Sequence, residues 1–260
     1  MAWWGKLIGG TLGFLVGGPL GALLGASFGH NFDSGPSKNR GWQGLPGDQE
    51  RTQAAFFAAT FSVMGHIAKS DGRVTKQEID LANALMGEMQ LNPEQRKIAR
   101  SLFNQGKEQE FDFDAVVEQF RVECHRRTTL MRMFLEIQVQ AAFADQLLDT
   151  NENRVLQILA ERLGFTQGQL AQIIEMVRGS AHTHEHPDRM ELADAYSILG
   201  VTANTSTADI KKSYRRLLSQ HHPDKLVSRG LPEEMTKLAN EKTHEIQQAW
   251  NKIKETRGEK

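Results

Sequence analysis

From Ala54 to about Arg178, apolar residues recur at spacings of three and four, the period of one face of a helix. Alternation of β-branched and polar residues is scarce. Leu, Ala, Gln, Glu, Lys and Arg dominate after residue 50, so the expected fold class is all-α. The N-terminal pattern is different. Leu7 to Gly29 is a run of 23 residues without a charge or an amide side chain. At about 1.5 Å of rise per residue, it suffices for a hydrocarbon core about 30 Å thick. Trp3 and Trp4 precede it where an interfacial aromatic belt would lie, and Lys6 can snorkel. The expected layout is a short tail over 1–6, a single transmembrane helix over 7–29 and a polar linker over 30–53.

Glycine punctuates the apolar run every fourth residue, at Gly5, Gly9, Gly13, Gly17, Gly21, Gly25 and Gly29. On a helix these share one face and leave it nearly bare of side chains. In lipid, such a stripe lets two backbones approach closely. A homodimer through Gly9, Gly13, Gly17, Gly21 and Gly25 is therefore expected. The span is too long, and its positive start too weak, for a cleaved signal peptide. Lys38, Arg40 and Arg51 follow it, whereas only Lys6 and the terminal amine precede it. That bias places the N-terminus in the periplasm and the bulk of the chain in the cytoplasm, as a single-pass protein.

The helical stretch 54–178 contains a repeat. Ser70-Asp71-Gly72-Arg73-Val74 with Glu78 aligns with Ala144-Asp145-Gln146-Leu147-Leu148 with Glu152, an offset of 74 residues. Carried onward, Leu81 meets Val155, Leu85 meets Leu159, Met89 meets Leu163 and Leu91 meets Phe165, while Asn92 and Thr166 fall together as helix N-caps. Between the copies, Phe120, Leu130, Met133, Phe134, Ile137 and Ala141 offer an apolar face to pack them into one bundle. Asp149, Asn151 and Asn153 have the alternate spacing of a calcium loop, but its sixth position is Arg154 and its twelfth Ala160. No metal and no cofactor is expected; Asp71 and Asp145 are read as capping residues.

Composition narrows the functions. With 31 basic and 32 acidic residues the net charge is near zero, which argues against a nucleic-acid partner. The single cysteine, Cys124, excludes an internal disulfide and reads as a small buried hydrophobe. No nucleophile–base pair or paired carboxylates stand out, and His66 and His125 read as packed or surface histidines, so the chain is not expected to be an enzyme.

The segment Ile67-Ala68-Lys69-Ser70-Asp71-Gly72-Arg73-Val74, with its second copy, resembles the TerB-like helical domain of tellurite-resistance proteins. The resemblance implies a domain that works near membranes; the second copy has Gln146 in place of the glycine.

A polar stretch over 179–191, holding His182, His184 and His186, reads as a flexible hinge before a last domain over 192–260. There, Ala193–Leu199 closes at Gly200, and Ser206-Thr207-Ala208-Asp209 opens a second helix. That helix places Ile210, Tyr214, Leu217 and His221 on one side and crowds Lys211, Lys212, Arg215 and Arg216 onto the rest. His222-Pro223-Asp224-Lys225 ends it, a loop is expected from Leu226 to about Glu234, and a third helix follows with Leu238, Ile246, Ala249, Trp250 and Ile253 inward. Four cations on one short helix repel one another unless solvent or an anionic partner accepts them.

This hairpin resembles the J domain over Asp194 to about Lys254: Tyr196-Ser197-Ile198-Leu199-Gly200-Val201, the basic helix, His222-Pro223-Asp224-Lys225 and Gln248-Ala249-Trp250. Thr243 stands where many J domains carry an aromatic. The resemblance implies that His222, Pro223 and Asp224 stimulate ATP hydrolysis by a DnaK-type chaperone. It also implies that Lys211, Lys212, Tyr214, Arg215 and Arg216 dock on it. The full order of anchor, TerB-like bundle and J domain resembles an inner-membrane DnaJ-like co-chaperone family of Gram-negative bacteria. Membership would imply a dimeric regulator in the bacterial inner membrane, linked to envelope-stress phosphorelay signalling and to capsule polysaccharide synthesis of the colanic acid type. The competing reading is a membrane adaptor or sensor that acts mainly through its bundle.

Overall fold

A computed structural model of the chain describes residues 18–29, 48–70, 72, 74–143, 148–185 and 190–258. Every regular element among them is a helix: α1 (Gly18–Gly29), α2 (Asp48–Ala68), α3 (Lys76–Glu88), α4 (Pro93–Gly106), α5 (Phe113–Glu123), α6 (Thr128–Ala142), α7 (Thr150–Arg162), α8 (Gln167–Glu185), α9 (Leu192–Ile198), α10 (Thr207–His221), α11 (Pro223–Ser228) and α12 (Thr236–Arg257), with a 3-10 turn at Glu233–Met235.

Helix α2 is the axis of the bundle. Its sequence is apolar on every side, and all its residues from Thr52 to Ala68 except His66 are buried. Phe56 meets Phe120 and Phe134 edge-on, with ring centroids 5.9 and 6.0 Å away. The hydroxyls of Thr60 and Ser62 donate to the carbonyls of Phe56 and Ala58 at 2.7 and 2.8 Å, which satisfies both buried hydroxyls within the helix. Where α2 crosses α4, glycines face each other. A Cβ on Gly65 would stand 2.0 Å from the Phe103 carbonyl oxygen, and one on Gly106 would stand 1.8 Å from that of Ser62. The two backbones touch.

The repeat is borne out in the caps. Thr75 and Asp149, 74 residues apart, each open a helix with a capping box closed by Glu78 and Glu152. Asn92 with Gln95 and Thr166 with Gln169 do the same one helix later, the backbone N–H of Gln95 donating to Asn92 at 2.9 Å and that of Gln169 to Thr166 at 3.2 Å. Each capping carboxylate or amide is therefore spent on backbone donors. Asp71 and Asp145 lie outside the described residues.

Three boundaries differ from the sequence expectation. Helix α2 begins at Asp48 rather than near Ala54, because Thr52 and Gln53 are already buried against other elements. Helix α8 continues to Glu185, through the first part of the expected hinge. It does so because α9 packs on it: Gly179 lies against Ser197 and Ile198, and Met176 joins the J-domain core. The expected loop after the His-Pro-Asp bend begins as helix α11 and ends in the 3-10 turn.

That connection is a second link between the two halves, beside the packing of α9 on α8. Leu226, Leu231, Met235, Leu238 and Ala239 belong to the bundle core, not to the core of their own hairpin. Gly230, at φ +102°, runs so close to α2 that a Cβ would meet the Thr52 side chain at 2.7 Å. Leu231 is fully buried. Leu231→Ala should cost about 2–5 kcal/mol in urea denaturation, the usual penalty for emptying a core leucine site.

Of the expected span Leu7–Gly29, only Gly18–Gly29 falls among the described residues. No helix there is long and apolar enough to cross a membrane. Gly9, Gly13 and Gly17 lie outside them. In this chain taken alone, α1 lays Leu20 and Leu24 on the bundle and Gly21 is buried. The Leu20 N–H donates to Gln119 Oε1 at 2.8 Å, and Gln105 Nε2 donates to the Ser27 hydroxyl at 2.7 Å.

Candidate functional site: a cationic helix and an exposed bend

Ser206 caps α10, accepting from the Asp209 N–H at 3.2 Å, and one apolar stripe binds the helix to its neighbours. Ile210 and Leu217 go into a core with Ile198, Leu199, Ile246, Ala249, Trp250 and Ile253. Tyr214 stacks on Trp250 at 5.2 Å with the rings 16° apart. Ser213 donates to the Leu199 carbonyl at 2.6 Å and accepts from Arg216 Nη2 at 3.0 Å. Arg257 closes the far end, donating to Tyr196, Thr205 and Ala203. Sequence reasoning passed over that arginine; only its place at the end of the third helix hinted at it.

The remaining face of α10 is left to solvent. Lys211, Lys212, Arg215 and Arg216 are exposed. No carboxylate among the described residues pairs with Lys211, Lys212 or Arg215. Arg216 is partly withdrawn toward the bundle, and burial, together with the like charge of Arg132, lowers its pKa below the usual guanidinium value.

Helix α10 stops at His222, where ψ swings to 122°, and Pro223 then starts α11. His222 and Asp224 are exposed and Pro223 is half-buried. The Leu226 N–H donates to the His222 carbonyl at 3.0 Å, which closes the bend into one turn. The expected site residues 211, 212, 214–216 and 222–224 thus form one continuous surface, except that Tyr214 faces partly inward onto Trp250.

Behind this surface lies a group that the sequence reading missed. His221 is 1% exposed, and its Nε2 is 2.7 Å from Glu136 Oε2 on α6. Glu136 Oε1 lies 2.8 Å from Arg132 Nε, a charge contact without hydrogen-bond alignment. Burial would raise the Glu136 carboxyl, but His221, Arg132 and Lys242 outweigh it and hold the pKa at about 2. The signal was present as two charges four apart inside the apolar run Leu130–Ala142. Elsewhere, Cys124 is fully buried and burial pushes its thiol up. His66 stacks on Phe113 at 4.8 Å, and burial lowers its pKa against a hydrogen bond with the Gly106 backbone. His125 is exposed.

An antiparallel hairpin with a solvated basic helix, broken at an exposed His-Pro-Asp turn and mounted on a helical bundle, defines a J-domain protein. The family model for the DnaJ domain matches residues 194–257, that of tellurite resistance protein TerB residues 57–175 and that of the Co-chaperone DjlA transmembrane domain residues 1–41. The chain is 41% identical over 260 residues to Co-chaperone protein DjlA of Shewanella oneidensis, with 99% of each chain covered. It is 42% identical over 272 residues to the Escherichia coli K12 protein of that name, again with 99% of each covered. The chain belongs to the DjlA co-chaperone family, and its N-terminal match makes it a membrane protein. No solved structure gives a significant match.

Proposed function

We propose that this chain is an inner-membrane co-chaperone that recruits a DnaK-type ATPase to the cytoplasmic face of the membrane and stimulates its ATP hydrolysis. The observation that carries this reading is the exposed cationic face of α10, where Lys211, Lys212 and Arg215 have no carboxylate partner among the described residues, followed by the exposed His222-Pro223-Asp224 bend. Lys211, Lys212, Arg215 and Arg216 steer and hold an acidic surface on the chaperone, aided by the edge of Tyr214. The bend acts as a rigid polar wedge that shifts the chaperone between states and need not transfer a proton. Residues 7–29 cross the membrane once with the N-terminus in the periplasm, and lipid then takes up the apolar face that α1 otherwise lays on the bundle. The glycine stripe from Gly9 to Gly25 joins two such spans into a homodimer. The cellular outcome in this reading is envelope-stress phosphorelay signalling and colanic acid-type capsule synthesis. The chaperone performs the chemistry; this chain is not an enzyme.

The test is single-turnover ATP hydrolysis by a DnaK-type chaperone with the full chain in nanodiscs. Reversing Lys211, Lys212 and Arg215 to glutamate should raise the half-saturating concentration by about tenfold or more. The parent's own half-saturation should rise with ionic strength. Unchanged chaperone turnover at saturating parent chain would sink the proposal.

One observation favours the adaptor reading as a second. A cleft between bundle and J domain, lined by Met133, Ile137, Phe143, Val177 and Leu238, could receive a client. Under that reading, a chain unable to stimulate ATP hydrolysis would keep its cellular phenotype.

A further inference from the structure

We infer that Glu136 and Arg132, both on the bundle, are positioning residues for the His222-Pro223-Asp224 bend, and that they act through His221. The inference rests on the co-chaperone reading above. It starts from the hydrogen-bond chemistry of one ring. His221 Nδ1 is 2.9 Å from the Leu217 carbonyl oxygen and Nε2 is 2.7 Å from a Glu136 carboxylate oxygen. A carbonyl only accepts, and so does an ionised carboxylate. Nδ1 therefore donates to the carbonyl, and one proton joins Nε2 to the Glu136 carboxyl, so the ring is tied at both nitrogens. A buried ring with both nitrogens engaged has one arrangement in which both contacts are met.

The partner of Nε2 comes from outside the hairpin. Glu136 lies on α6, and Arg132, one turn earlier on the same helix, holds its second oxygen. Other charges around the ring have partners or face away. Lys242 on α12 is 2.9 Å from Glu245 Oε2 and donates to the Ser180 hydroxyl at 2.8 Å, while Arg216 on α10 bonds Ser213. Glu136 is therefore the carboxylate partner of His221 among the described residues.

The backbone is gripped as well. The Thr243 hydroxyl shares its one proton between the Ala239 carbonyl at 2.8 Å and the His221 carbonyl at 3.1 Å, and the latter belongs to the peptide leading into His222. An aromatic at 243 could not make this bond. On the other side of the bend, Leu226 is fully buried in the bundle core. Between these two anchors stand His222, Pro223, Asp224 and Lys225. The bend is held at both ends by the bundle, while the basic face of α10 and the bend itself remain open. The bundle thus mounts the trigger without covering it. Recruitment and triggering are then separable: the cations of α10 set how much chain is needed, and the mount sets how well the bound bend performs.

The test uses the full chain in nanodiscs with a DnaK-type chaperone, reading maximal stimulation and half-saturating concentration separately. Glu136→Gln keeps shape but removes the carboxyl group that orders the ring and faces Arg132. Maximal stimulation should fall on the order of tenfold while half-saturation stays put, as for a small misplacement of an acting group. Because that variant leaves the Arg132 guanidinium without its carboxylate, a second one replaces the whole group by apolar residues: Arg132→Met, Glu136→Leu and His221→Leu together. Such swaps are commonly neutral or stabilising for the fold. The triple variant should melt like the parent and still show the same loss of maximal stimulation. If it melts like the parent and stimulates fully, the group is only structural and the inference is overturned. A parent that fails to stimulate at all would overturn the co-chaperone reading instead; a stimulating parent with unaffected variants overturns only the positioning role.

Discussion

His222→Gln is expected to abolish stimulation of a DnaK-type ATPase while leaving the fold untouched. The residue is exposed and caps no helix with its side chain. Its backbone carbonyl, which accepts from Leu226, survives the change. Glutamine also tolerates the extended ψ before Pro223. A surface substitution of this kind lies within about 0.5 kcal/mol of the parent in stability. A thermal melt should therefore overlay the parent's, while single-turnover hydrolysis drops to the chaperone's basal rate. The half-saturating concentration for recruitment, read by competition with the parent, should barely change, because the cations of α10 are intact. A variant that stimulates like the parent would remove the bend from the mechanism. Loss of stimulation with a retained cellular phenotype would instead move the function to the bundle.

Gly65→Ala, with its counterpart Gly106→Ala across the same crossing, should be among the most destabilising single methyl additions in the described part of the chain. The new Cβ would lie 2.0 Å from the Phe103 carbonyl oxygen, a backbone atom that no rotamer change can remove. Helices α2 and α4 would have to part, and α2 is the axis on which the bundle is built. Overpacking costs about 1–3 kcal/mol in ordinary sites and more where the backbone cannot yield; here at least about 3 kcal/mol is expected in urea denaturation. Gly87→Ala is the matching control. It lies in α3, with nothing within 4 Å of a new Cβ. Gaining helix propensity without a clash, it should stabilise by about 0.5–1 kcal/mol. Equal effects at the two positions would mean that the helices do not meet at Gly65.

How far the fold was legible follows from which residues carry local signals. The capping boxes at Thr75, Asn92, Asp149 and Thr166 are short-range chemistry, so the repeat at an offset of 74 residues was readable without any contact map. The hairpin was legible for a similar reason: proline stops one helix, and the stripe of Ile210, Tyr214 and Leu217 faces Trp250. Contacts between distant segments were not legible. Nothing local marks Leu231 or Met235 for the bundle rather than for the hairpin. Nothing local says that Gly179 is the seat of α9, and so the helix running to Glu185 was read as a polar hinge. His221 was assigned to the apolar side of α10 correctly, but its partner lies 85 positions away in sequence.

The lodging of Leu226, Leu231, Met235 and Leu238 inside the bundle, with Met176 lent in return, bears on how such a chain can be inherited. Modules joined by a flexible string can be shuffled by recombination, each arriving with its interior complete. These two have traded parts of their interiors. A copy of the hairpin moved to another gene would arrive with four greasy side chains bare to water, and the donor would be left with the matching hole. Descent of this pair is therefore expected to be joint, with change on one side of the seam answered on the other.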